Sequence, residues 1–167
     1  MDVRQQILEA FCVNLMYGRD LLEATPENEF CTVPVAGMNH PAWIAGHITL
    51  PHRRIATELG SPLEIPDGWV ELFGRGSRPR PTPSLYPAKQ VLIQAYLEGH
   101  KHLAAAFSAA TSDQLSATNV RWKPTMITTI GAMAVHAMTT HEALHLGQLS
   151  AWRRAMGMPA IDVTGKA

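Results

Sequence analysis

Leu8, Phe11, Cys12, Leu15 and Leu22 recur at helical spacing with polar residues between them, which predicts an amphipathic helix over about residues 3 to 24. Thr25-Pro26 closes it. A second helix is expected to start at Asn39 as N-cap, with Pro41 in its first turn, and to run through Trp43, Ile44, His47, Ile48, Ile55 and Leu59 to Gly60. Pro51 lies inside that span and predicts a kink. Between Ser61 and Pro87 the period collapses in a stretch holding six of the twelve prolines, so a long connection is expected there, with one short helical turn around Trp69 to Phe73. Leu92, Ala95, Tyr96, Leu103 and Phe107 restore the period in a third helix that fades at Thr111. A fourth follows Thr128-Thr129, carries Ile130, Ala134, Ala137, Met138, Leu144 and Trp152, and stops at Gly157 with Pro159 just beyond.

Four long helices, no alternating strand pattern and one long middle connection predict an all-α fold, a four-helix bundle with a crossover between helices two and three. A length of 167 residues suits a single domain, 1–167. The 14 basic and 14 acidic side chains cancel, which removes the global field that would gather nucleic acid or an anionic membrane and leaves a small-molecule substrate or a protein partner. No stretch reaches the roughly 18 apolar residues of a membrane span, and the N-terminus has no signal-peptide pattern, so a soluble, cytoplasmic protein is expected. Cys12 and Cys31 have neither the number of a disulfide framework nor the spacing of a redox or zinc motif.

The chemistry concentrates in the eight histidines. In HEALHLGQL, His141 and His145 stand four apart with Glu142 between them, the H-E-x-x-H spacing of a zinc protease. Proteases of that type need a further ligand downstream, and after Glu142 this chain has no Glu and after His145 no His. Nor does any strand pattern offer an edge to align an extended peptide, which argues against a protease. Counted from Ile130 at the helical period, His141, His145, Gln148 and Trp152 continue the apolar stripe, so both histidines face the core. There each imidazole needs a partner, either a neighbouring polar group or a shared metal. His47 shares a stripe with Ile44, Ile48, Pro51 and Ile55 and is the best upstream candidate for a third ligand. Three histidines with further positions open to water is the layout of a catalytic rather than a structural metal site. For His40, His52, His100, His102 and His136, solvated or locally hydrogen-bonded roles are expected.

Two stretches carry a resemblance. MNHPAWIAGHI is similar to the second-helix motif, and HEALHLGQLSAWRRAMGMP to the last-helix motif, of the DinB-like family of damage-inducible bacterial proteins, related to metal-dependent bacillithiol and mycothiol S-transferases. The resemblance implies an up-down-down-up bundle, often a homodimer, with zinc or nickel held by His47, His141 and His145. It implies use of that divalent metal to activate a low-molecular-weight thiol for S-transfer. A metal-dependent hydrolase, with Glu142 as base, and a non-enzymatic, metal-stabilised stress-response module remain the alternatives. By the same resemblance Glu142 occupies a variable position of the motif, where a solvated or ion-paired carboxylate is expected, and Gly147 and Gln148 are packing and supporting positions. Trp43, Trp69 and Arg121 are candidates for the mouth of the cavity.

Overall fold

The computed structural model describes residues 2–120 and 126–162. Helix α1 spans Val3–Glu23, with Asp2 as N-cap accepting from the Arg4 amide. Its C-terminal carbonyls are covered from another helix: buried Lys89 donates to the carbonyls of Glu23 at 2.9 Å and Thr25 at 2.6 Å. Helix α2 spans Pro41–Glu58 and runs unbroken through Pro51. Its cap is His40, whose ring accepts from the Trp43 amide, rather than Asn39. Asn39 is used elsewhere, as described below.

The proline-rich connection holds α3, Trp69–Phe73, and a single 3-10 turn at Pro83–Leu85. Gly46 lets α3 come close: a Cβ there would sit 2.4 Å from the Phe73 ring, so only glycine fits. Helix α4, Lys89–Ala109, ends where the sequence period fades, and a short α5, Ser112–Ser116, follows behind a Thr111/Gln114 capping box.

The last segment is continuous but not uniform. Helix α6, Ile130–His136, starts on the Thr129 cap, passes into a π-helical turn at Ala137–His141, and resumes as α7, Glu142–Ala155. A π turn holds one residue more than an α turn, so everything after it rotates about 100° relative to a straight helix. Before it the buried positions are Ile130, Met133 and Ala134, within it Ala137 and Met138, and after it Glu142, His145, Leu146, Leu149, Trp152 and Arg153. Leu144, expected in the core by an uninterrupted period, is instead 60% exposed. Asn14 of α1 donates to the Met138 carbonyl at 3.1 Å, one of the backbone groups the wide turn disturbs.

Among the described residues the fold is all-helical, with a lone bridge between Thr118 and Thr129 in place of strands. Helix α4 packs on α1 and α2, and the α6–α7 rod packs on the same two helices. Two apolar clusters fill the interior: one around Trp43, Phe73, Leu92 and Trp152, the other around Phe11, Ile55, Leu103 and Met138. Among the described residues no helix is long and apolar enough to cross a membrane.

Candidate metal centre

His47, His141 and His145 come together between α2 and the α6–α7 rod, with one ligand atom from each within 4.8 Å of the others. His47 Nε2 and His141 Nε2 are 3.3 Å apart. Two imidazoles on one tetrahedral ion at the usual bond length of about 2.0–2.1 Å stand roughly 3.3 Å apart, so this pair has the spacing of ligands. The ring centroids of His47 and His145 lie 4.6 Å apart, and those of His141 and His145 4.7 Å.

Two of the three rings are oriented from behind. His47 Nδ1 donates to the Phe73 carbonyl at 2.6 Å, which puts the hydrogen on Nδ1 and leaves the Nε2 lone pair facing His141. Trp43 stacks on the other side of that ring at 4.3 Å and is itself tied through Nε1 to Ser77 Oγ at 2.9 Å. His145 Nδ1 donates to Gln148 Oε1 at 3.0 Å, and Asn39 Nδ2 donates to the same oxygen at 2.9 Å. Histidines whose Nδ1–H is held by an outer acceptor present a free Nε2, the arrangement metal-binding histidines use. His141 Nδ1 is buried without a partner.

Burial first, then the neighbouring imidazoles, depresses the pKa of His141 to about 3; burial, then His47, takes His145 to about 4. Burial also lowers His47. All three rings are therefore neutral at pH 7, the form that ligates. They line a cavity of about 650 Å³ whose walls include Leu50, Pro51, Ile55 and Met133, with Arg54 and Arg75 among its charged groups. The donor set, its tautomers and its open side all fit a divalent ion with a position left for a further ligand.

Other expectations are corrected. Trp43 and Trp69 are buried, and neither lines this cavity: Trp43 backs His47, and Trp69 packs edge-on against Phe73. Arg121 lies outside the described residues. Glu142 is not solvated and does not face the cavity. It is fully buried in an interhelical pair with His100, accepting from Tyr96 Oη at 2.7 Å and lying 2.6 Å from His100 Nε2. Burial raises its pKa to about 7, against the opposing influence of His52 and Tyr96. Glu142 is not among the residues that line the cavity.

His52 and His100 are likewise buried rather than solvated, at 0% and 2% exposure. With Glu142 they form a second group whose donor atoms lie within 4.8 Å of one another. The signal was present in the sequence: His52 stands four after Ile48 and three before Ile55, and His100 four after Tyr96 and three before Leu103. Adjacent Arg53-Arg54 and the EGHKH run obscured it. His40 is buried as the α2 cap, His102 pairs with Ser61, and the half-buried His136 ring lies 5.8 Å from His141.

A sequence profile described as the DinB superfamily matches residues 15–149 of this chain. Among solved structures, a conserved protein from Enterococcus faecalis superposes with a TM-score of 0.68 over 99% of both chains at 19% identity, a likeness of fold alone. No curated protein matches.

Proposed function

The chain belongs to the DinB superfamily, and from that premise we propose that it is a metal-dependent enzyme that binds zinc or nickel through His47, His141 and His145 and activates a low-molecular-weight thiol for S-transfer. The observation that carries the reading is the orientation of the imidazoles. Phe73 and Gln148 occupy the Nδ1 hydrogens of His47 and His145, so their Nε2 atoms face inward at the foot of a cavity large enough for a small molecule.

His47, His141 and His145 would hold a divalent ion, which when bound would lower the pKa of a coordinating thiol and so supply a nucleophile at neutral pH without a dedicated base. The chain's own contribution is to position. Leu50, Pro51, Ile55 and Met133 supply an apolar part of the cavity wall, and Arg54, Glu58, Arg75 and Asn119 supply polar and charged groups for orienting a small substrate. Neutral rings at pH 7 mean that no proton has to leave the ligands before an ion binds. The up-down-down-up helix order belongs to the same reading, and so does a homodimer.

Cobalt-loaded protein mixed with a small thiol such as cysteamine tests it. The expected result is a sulfur-to-cobalt absorption band in the near ultraviolet that His141→Ala loses. A cobalt-loaded wild type whose spectrum ignores the thiol would overturn the thiol reading.

A further inference from the structure

His52, His100 and Glu142 form a second buried cluster, behind the first. Hydrogen bonding satisfies it only in part. Neither ring nitrogen of His52 nor Glu142 Oε2 makes a hydrogen bond of good geometry, although these atoms are buried and the Ala137 backbone and the Asn14 side chain come near the two groups. Each such group costs about 1–3 kcal/mol if nothing meets it.

His52 Nε2 faces Glu142 Oε2 at 4.0 Å, too far for a hydrogen bond. That gap is within the span of two ligands on one ion at about 2.0–2.2 Å each. On the other carboxylate oxygen His100 Nε2 donates at 2.6 Å and Tyr96 Oη donates at 2.7 Å, so an ion would take the place of the His100 proton, which leaves to solvent as the pair opens to ligand spacing. Among the described residues the carboxylate forms no ion pair with a Lys or Arg; Arg53, next to His52 in the chain, is engaged by Glu98 at 3.1 Å. Phe11 stacks on His100 at 3.9 Å and meets His52 edge-on at 5.3 Å, so apolar packing closes the cluster from α1.

We propose that His52, His100 and Glu142 form a second, buried metal site for a zinc-class divalent cation. Two imidazoles and one carboxylate are a borderline-soft donor set, suited to zinc rather than to calcium or magnesium. The site carries one formal negative charge against the ion's two positive ones, and it lies away from the cavity. Its role is structural: it cross-links α2, α4 and the start of α7 at the π turn that aims His141. The assignment does not depend on the triad holding a metal.

Because the two clusters adjoin, ions in both repel, and the second is best measured with the first disabled. The double variant His47→Ala/His145→Ala leaves one triad histidine and touches nothing in the closed cluster. Refolded in the presence of zinc and desalted, it is expected to retain about one equivalent, which adding Glu142→Gln removes. No retained zinc in the double variant, or zinc that survives Glu142→Gln, would overturn the proposal. Should Glu142→Gln fail to fold, X-ray absorption at the zinc edge of the double variant decides: two imidazoles and an oxygen donor sustain the site, and any other set overturns it. Failure of the triad reading looks different, since wild type and double variant would then hold the same single equivalent.

Discussion

His141 and Glu142 are neighbours in sequence and belong to opposite regimes. The triad side has rings oriented by Phe73 and Gln148 and opens to a cavity of about 650 Å³. The Glu142 side has the same kinds of donor but is sealed by Phe11 and Tyr96 and opens to nothing. The difference teaches that residue type did not assign the chemistry. What separates a site able to meet a substrate from one able only to hold the fold is which face of one π turn each side chain leaves.

The sharpest way to break the comparison is to remove a donor from each side. His47→Ala is expected to abolish metal at the triad while leaving the thermal midpoint of the metal-free protein within a few degrees, because His47 borders an open cavity. Loss of folding, read by circular dichroism, would contradict that division. Glu142→Ala should do the reverse for the metal-free fold. It strands His100 and leaves the Tyr96 hydroxyl only the Asn14 carbonyl at 3.2 Å, a loss of about 1–3 kcal/mol in denaturant unfolding. Glu142→Gln keeps an acceptor for both and should cost about half as much.

Two glycines extend the test to the supports. A Cβ at Gly18 would stand 2.1 Å from Tyr96 Oη, and one at Gly46 stands 2.4 Å from the Phe73 ring. Each alanine variant is expected to lose about 1–3 kcal/mol by overpacking. Only Gly46→Ala should also weaken metal binding at the triad, because Phe73 carries the carbonyl that orients His47. Equal effects of both variants on that affinity would erase the distinction between the two sides. Gln148→Ala, which frees His145 Nδ1, should raise the dissociation constant for zinc about 10-fold, the low end for losing an orienting partner.

The smallest effect tests the register. Leu144→Ala should change stability by less than about 0.5 kcal/mol, as for an exposed site, whereas Leu146→Ala should cost about 2–5 kcal/mol. A costly Leu144→Ala would mean that the helix runs straight and the π turn is absent.

The long helices, the proline-rich connection with its turn at Trp69–Phe73, and the convergence of His47, His141 and His145 were legible because each follows the 3.6-residue period or a cap. The rest was not, for one physical reason in particular. A period counted from Ile130 cannot register the extra residue at Ala137–His141; Leu144, one of the apolar residues of that helix, is exposed, and Glu142, expected as a solvated or ion-paired carboxylate, is buried. His52 and His100 did lie on apolar stripes, but charged neighbours outweighed them. The Phe73 carbonyl behind His47 is a backbone group brought from a loop, and no pattern in the side chains announces it.

The most direct test of the central claim is anomalous diffraction at the zinc edge from crystals grown with zinc. The account predicts a peak within about 2.0–2.1 Å of Nε2 of His47, His141 and His145 together. Crystals that contain zinc but show no peak among these three atoms, with His47 and His141 still hydrogen-bonded to each other, would contradict it.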